Sequence, residues 1–117
     1  MSLTKNELDS MRTALESKRA DLLRAHADNV ANGTQSDDGN YSDPMDAATR
    51  AEEQAERLGL AHQERELLIA IDRALAKIKA GTYGVSESSG EEIPIARLRA
   101  IPWARLTVEE EEQRERG

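Results

Sequence analysis

The longest patterned segment of the chain, residues 43–81, reads DPMDAATRAEEQAERLGLAHQERELLIAIDRALAKIKAG. Its apolar side chains recur every three or four positions, the spacing of one helix face; they are Ala51, Ala55, Leu58, Ala61, Leu68, Ile71, Leu75 and Ile78. Asp43, Pro44 and Asp46 suit the N-cap, first and third helical positions, because proline lacks an amide that would be unpaired there and carboxylates favour the positive helix end. Gly81 can adopt the left-handed conformation that ends a helix. The segment therefore predicts a long amphipathic helix.

A first helix is predicted for residues 4–32. Thr4 and Glu7 have capping-box spacing, and the apolar positions are Leu8, Met11, Leu15, Leu22 and Ala25. Residues 32–40, NGTQSDDGN, are turn formers and predict a loop. Since neither helix can bury its apolar stripe alone, we expect an antiparallel coiled-coil hairpin over residues 1–80, with its tip at residues 33–46.

Residues 81–117 are expected to form a small globular domain. Its apolar residues predict a separate small core; they are Tyr83, Ile93, Ile95, Leu98, Ile101, Trp103 and Leu106. The acidic run at residues 109–112 indicates the exposed end of a last helix or a frayed tail. The predicted fold class is all-α: a long helical hairpin with a small C-terminal domain and a terminal helix.

Composition excludes several classes of function. The chain has 117 residues, 38% of them hydrophobic, and a mean hydropathy of -0.72, which is little material for a large pocketed enzyme. A net charge of -7 repels phosphate backbones, so we expect no direct DNA binding and a basic protein surface as partner. With no apolar run long enough for a membrane span and no signal-peptide core, a soluble cytoplasmic protein is expected.

No catalytic or metal constellation stands out in the sequence. Cysteine is absent and there are only two histidines, His26 and His62, to which no role is assigned. We therefore expect neither an enzyme nor a bound cofactor.

The predicted hairpin tip concentrates negative charge. Asp37, Asp38, Asp43 and Asp46 fall within ten residues. Taken on physical grounds alone, they indicate either a solvated loop with a helix cap or a functional acidic tip, and capping alone accounts for Asp43 and Asp46.

Three motifs carry a resemblance to a known family. Residues 43–49 (DPMDAAT), 81–93 (GTYGVSESSGEEI) and 97–102 (RLRAIP) resemble the DksA/TraR family of bacterial RNA polymerase regulators. The resemblance implies a protein that binds RNA polymerase directly, without contacting DNA, and inserts its coiled coil into the secondary channel. It also implies that the functional tip residues are Asp43, Asp46 and Ala48.

The sequence departs from that family at two sites. The four zinc-binding cysteines of the typical family member fall on Ser86, Ser89, Thr107 and Glu110. Because hydroxyl oxygens are poor substitutes for thiolates, we expect a zinc-free domain held together by its apolar cluster.

The second departure concerns a nucleotide. Two basic positions that help family members bind guanosine tetraphosphate fall on Ala70 and Ile101, so we expect no strong response to this alarmone.

Other interpretations stay open. The chain could be a coiled-coil adaptor for another protein partner, or a decoy that binds polymerase without an effect on transcription. Because alanine and charged residues interrupt both apolar stripes, a monomer is expected.

Overall fold

The structure is a computed structural model that describes residues 3–34 and 44–117. Within them the chain forms four helices: α1 (Lys5–Thr34), α2 (Pro44–Ala80), α3 (Ile95–Ala100) and α4 (Val108–Arg116). The all-α class with a long helical hairpin is confirmed. The predicted loop began too early, because α1 continues to Thr34. The expected cap Asp43 and the loop aspartates Asp37 and Asp38 lie outside the described residues.

Both long helices begin or end where local chemistry predicts. At the start of α1, the Thr4 amide donates to Glu7 Oε1 at 2.9 Å and the Glu7 amide donates to Thr4 Oγ1 at 3.1 Å, which completes the capping box. At the end of α2, Gly81 has φ of 80° and the Thr82 amide donates to the Lys77 carbonyl at 2.9 Å. This is the 6→1 bond of a Schellman motif, and it satisfies a carbonyl that the helix leaves unpaired.

Part of the buried and half-buried face of each long helix is a row that repeats every seven residues. On α1 the row is Leu8, Leu15, Leu22 and Asn29; on α2 it is Ala47, Gln54, Ala61, Leu68 and Leu75. The predicted stripe is wrong at Ala51, Ala55 and Leu58, which are exposed. A seven-residue repeat is typical of left-handed coiled-coil packing, and Ala51, Ala55 and Leu58 lie off this row.

Contacts divide the chain into two compact units. The terminal unit comprises Met1–Arg19 and Ile69–Gly117, and the middle unit comprises Ala20–Leu68. In the middle unit, Leu22 and Ala61 are buried and the side-chain amide of Asn29 donates to Glu64 Oε1 at 3.0 Å.

In the terminal unit, α1 shares an apolar core with the C-terminal residues. Met11, Ile93 and Leu98 form its buried cluster, and partly buried side chains pack around it: Leu3, Ile78, Tyr83, Ile95 and Ala104. The expectation of a separate core for residues 81–117 is therefore wrong. So short a segment exposes too much surface to bury a core by itself, and Met11 of α1 completes it.

The C-terminal residues form a tight turn followed by two short helices. Val85 and Glu92 form an isolated antiparallel bridge, and the Ile93 amide donates to the Gly84 carbonyl at 2.8 Å. Helix α3 follows Pro94 and buries Leu98 completely. Helix α4 is regular through Arg116, so the predicted last helix is present rather than a frayed tail.

Candidate functional site

The described part of the predicted tip is the start of α2. Pro44 is the first helical residue, Asp46 lies in the first turn, and the side chains of Asp46 and Ala48 are both exposed. Met45 between them is 74% exposed. Because successive helical residues are offset by roughly 100°, Asp46 and Ala48 point to faces about 200° apart. The Asp46 carboxylate is therefore presented to solvent where the helix dipole favours negative charge.

This arrangement supports binding rather than bond-breaking chemistry. Asp46 is an exposed carboxylate on a rigid helix, and it can attract basic or metal-organising groups of a partner. The two histidines of the chain do not add a catalytic group to the start of α2. His26 lies in the middle unit with its Nδ1 3.9 Å from Glu64 Oε1, and His62 is exposed. The structure thus brings no base and nucleophile together at the described part of the tip.

The second candidate site lies at the four positions that the family resemblance assigns to cysteines. The Ser86 hydroxyl donates to Glu110 Oε1 at 2.6 Å, and the Thr107 amide donates to the same oxygen at 2.9 Å. The Ser89 side chain lies close enough to Glu110 to help lower the pKa of its carboxyl group. The structure therefore brings all four residues together around one carboxylate, an association that sequence reasoning missed.

Local backbone geometry positions these side chains. Thr107 is the N-cap of α4, and the Glu110 amide donates back to Thr107 Oγ1 at 3.3 Å, so the pair forms a second capping box. In the turn, the amides of Ser88 and Ser89 donate to Ser86 Oγ at 3.0 and 3.3 Å. Ser86 and Thr107 are only 4% and 6% exposed. The Thr107–Glu110 spacing was the available sequence signal, since it is that of a capping box.

These hydrogen bonds change the acidity of Glu110. Donation from Ser86, then from Ser89 and from the Thr107 amide, stabilises the charged carboxylate and lowers the pKa of Glu110 to about 2. Glu110 is therefore ionised at neutral pH and acts only as an acceptor.

The donor set does not fit the zinc ion of a four-cysteine finger. Zinc in such sites prefers thiolate and imidazole, whereas these positions offer hydroxyl and carboxylate oxygens. The Ser86 hydroxyl is already committed as a donor to Glu110. Across residues 3–34 and 44–117, no group of three or more His, Cys, Asp or Glu side chains is arranged to hold a metal ion.

A third cluster of charges lies next to this turn. Lys77 Nζ donates to Glu87 Oε2, and Arg105 Nη1 lies 3.6 Å from Glu87 Oε1. The Lys77 hydrogen bond, helped by the charges of Lys77, Arg105 and Arg73, lowers the pKa of Glu87. Two cations of the terminal unit are thus already paired with an internal carboxylate.

The positions that the resemblance relates to alarmone binding are both uncharged and half-buried. Ala70 lies on α2, and Ile101 is the C-cap of α3, where its amide donates to the Arg97 carbonyl at 2.7 Å. Neither side chain can donate a hydrogen bond or neutralise a phosphate.

The fold and these sites define a class: a helical hairpin with an acidic helix start, joined to a finger-like module without metal ligands. Two family models together match nearly the whole chain. The model for the N-terminal domain of the DnaK suppressor protein DksA matches residues 7–78, and the model for the prokaryotic dksA/traR C4-type zinc finger matches residues 81–116. The chain belongs to the DksA/TraR family, although it contains no cysteine.

Individual relatives agree with this assignment. The chain is similar to the RNA polymerase-binding transcription factor DksA of Caulobacter vibrioides, with 33% identity over 110 residues that cover 94% of this chain and 77% of that protein. It is 61% identical over 46 residues to General stress protein 16O of Bacillus subtilis, a match that covers 39% of this chain and only 28% of that protein.

A solved structure gives the same result for the fold. Transcription factor DksA2 from Pseudomonas aeruginosa superimposes with a TM-score of 0.79 at 31% identity, covering 96% of this chain and 85% of that one. None of the helices that the structure describes is long and apolar enough to span a membrane.

Proposed function

We propose that this protein is a bacterial transcription regulator that binds RNA polymerase directly and modulates initiation. The observation that supports it best is the match of both parts of the chain, the helical hairpin and the C-terminal module, to one family. Relatives over nearly the whole chain are named RNA polymerase-binding transcription factors.

The proposed mechanism uses the hairpin as a carrier for the acidic tip. The hairpin enters the secondary channel of the polymerase, and Asp43, Asp46 and Ala48 approach the catalytic centre. Asp46 is suited to this role because its carboxylate is exposed in the first turn of α2. There it would perturb basic or metal-organising groups of the polymerase, and the small side chain of Ala48 would permit close approach on the other side of the helix.

The protein acts in this proposal as a non-enzymatic binding factor in the cytoplasm. Its net charge of -7 opposes contact with a phosphate backbone, so specificity would come from the polymerase and not from DNA. The interrupted apolar rows of the hairpin favour a monomer that is free to enter a channel.

Guanosine tetraphosphate has little support as a cofactor. Ala70 and Ile101 supply no cation, and Lys77 and Arg105 are engaged by Glu87. A polyphosphate would have to displace that carboxylate before it could use them.

The alternative is a coiled-coil adaptor that binds another protein through its side faces or its C-terminal module. The exposed apolar side chains of the middle unit favour it as a second candidate, since they offer contact area away from the tip: Leu23, Val30, Leu58 and Leu60.

Binding of the purified chain to core RNA polymerase separates the two proposals. The regulator should co-migrate with core polymerase in size-exclusion chromatography at micromolar concentrations and should compete with another ligand of the secondary channel. If no complex forms under conditions in which a DksA protein binds, the regulator proposal is wrong and the adaptor proposal stands.

A further inference from the structure

The turn at residues 86–92 is held in place without apolar burial. Every residue from Glu87 to Glu92 is exposed, and the buried residue of the turn is the polar Ser86. Apolar contacts of Ile93 and Leu98 fix the segment after the turn, but they do not reach into it. The position of the turn must therefore depend on polar contacts, as it does on metal in a zinc finger.

Those polar contacts converge on Ser86 and Glu110. Ser86 uses its backbone and its side chain: its amide donates to the Glu91 carbonyl at 2.7 Å, its carbonyl accepts from the Gly90 amide at 3.0 Å, and its hydroxyl donates to Glu110. The same hydroxyl oxygen accepts from the amides of Ser88 and Ser89. Ser86 thus organises the turn, and its hydroxyl makes one hydrogen bond to Glu110 in α4.

In α4, one carboxylate oxygen of Glu110 accepts hydrogen bonds from two segments of the chain. Glu110 Oε1 accepts from the Ser86 hydroxyl in the turn and from the Thr107 amide at the start of α4. A bond to an ionised acceptor is stronger than one between neutral groups. The carboxylate of Glu110 therefore links Ser86 of the turn to Thr107 and Glu110 of α4, positions that thiolates around a zinc ion would link in the typical family member.

We infer that the Glu110 carboxylate, held by the Ser86 hydroxyl and the Thr107 amide, is the structural substitute for the zinc ion and couples the turn to α4 without metal. The apolar cluster, which the sequence suggested would offset the loss of zinc, then stabilises the module together with the hydrogen bonds of Glu110. The module keeps its fold when zinc is withdrawn and under conditions that oxidise thiols, because no ligand or thiol is required.

The neighbouring residue, Glu87, also connects the turn to other segments of the terminal unit. The Glu87 amide donates to the Arg105 carbonyl at 2.9 Å, and the Glu87 side chain pairs with Lys77 and Arg105. These ion pairs are partly exposed, with about a third of the Glu87 side chain accessible, and such pairs contribute little to stability. The test therefore concentrates on Ser86 and Glu110.

The test measures amide exchange and thermal melting of the full chain, the latter through Trp103, its one tryptophan. Glu110→Ala removes the acceptor, and Glu109→Ala is the matched control, because it removes the same charge from an exposed position in the same first turn of α4. We expect the Ser88 and Ser89 amides to exchange about tenfold faster in Glu110→Ala than in the control.

Two further arms separate this role from the capping of α4. Ser86→Ala leaves the Thr107–Glu110 capping box intact and should lower the melting temperature as well, and combining it with Glu110→Ala should add less than the sum of the two. Zinc chloride and a strong chelator should leave the melting of the unmodified chain unchanged.

Several results would overturn the inference. They are equal exchange in Glu110→Ala and Glu109→Ala, strict additivity of Ser86→Ala and Glu110→Ala, or a melting temperature of the unmodified chain that falls on chelation. If Glu110→Ala does not fold, the comparison rests on Glu110→Gln against Glu109→Gln, with the same expected order.

Discussion

The hydroxyl of Ser86 donates a 2.6 Å hydrogen bond to the carboxylate of Glu110, a residue 24 positions further along the chain. Both positions correspond to cysteines in the zinc-binding family members that the sequence resembles. At these positions of a family defined in part by a metal site, a hydrogen bond joins the turn to α4. The pairing also makes the stability of the terminal unit depend on the ionisation of one carboxyl group.

Acid should therefore loosen the terminal unit. The pKa of Glu110 is about 2 in the folded protein, against an ordinary glutamate value near 4.5. Because the folded value is lowered, this contribution to stability is complete above about pH 4.5 and is lost as the pH falls towards 2. Thermal melting followed by Trp103 fluorescence should show a decline over that window that is smaller in Glu110→Gln. Parallel curves for the two proteins would contradict the assignment.

Tyr83 should contribute through its hydroxyl. The group donates to the Pro102 carbonyl at 2.7 Å. Tyr83→Phe removes the donor and leaves that carbonyl unpaired in a partly buried place, so we expect a loss of about 1–2 kcal/mol in the free energy of unfolding. Urea denaturation measures it, and an unchanged midpoint would show that water replaces the hydroxyl.

Alkaline pH provides a separate test of the same side chain. Burial raises the pKa of Tyr83 to about 12. Because the folded value lies above the ordinary value of 10, stability is unaffected below pH 10 and falls as the pH rises from 10 towards 12. The loss of stability over this pH range should be smaller in Tyr83→Phe. An equal loss in both proteins would contradict the raised pKa of Tyr83.

Glycine substitutions should separate backbone strain from crowding. Gly84 has φ of 93°, and an added Cβ would lie 3.3 Å from Leu3 Cδ1, whereas Gly90, with φ of 77°, faces open space. Gly84→Ala should therefore lower the free energy of unfolding by about 1–2 kcal/mol or more, because it adds both backbone strain and crowding. Gly90→Ala should lower it less, since it adds only the backbone strain of a positive φ. Gly59→Ala, inside α2 with open space around it, should stabilise by about 0.5–1 kcal/mol. Any other order of the three melting temperatures would contradict this account.

Guanosine tetraphosphate should leave the activity of the purified protein on polymerase unchanged. Neither Ala70 nor Ile101 offers a cation, and Glu87 engages Lys77 and Arg105. In vitro transcription with and without the nucleotide, beside a DksA protein that responds to it, measures this. A large nucleotide-dependent change that requires this protein would show that other residues form a site.

The features that could be predicted from the sequence are those that neighbouring residues determine. Thr4 with Glu7 starts α1, and Gly81 ends α2, because capping involves residues within one turn. Helix α3 was not predicted, since six residues are too few to show a periodicity.

Features that depend on distant residues could not be predicted in the same way. The position of the buried row at Ala47 and Gln54, in place of Ala51 and Ala55, is decided by the facing helix. The contact of Ser86 with Glu110 likewise depends on how the turn packs against α4. At the tip, the sequence indicates Asp43, Asp46 and Ala48; the structure adds that Asp46 and Ala48 are exposed, and their role stays a prediction.

The most direct test of the proposed function is in vitro transcription with an Asp43→Asn/Asp46→Asn variant, assayed together with its binding to core RNA polymerase. Asp28→Asn is the control, since it removes an exposed carboxylate from the middle unit away from the start of α2. We predict that the double variant still binds polymerase and melts within about 2 kcal/mol of the unmodified protein, as expected for a weakened cap, but has lost its effect on transcription. An unchanged effect of the double variant on transcription would contradict the proposal that the acidic tip is the functional site.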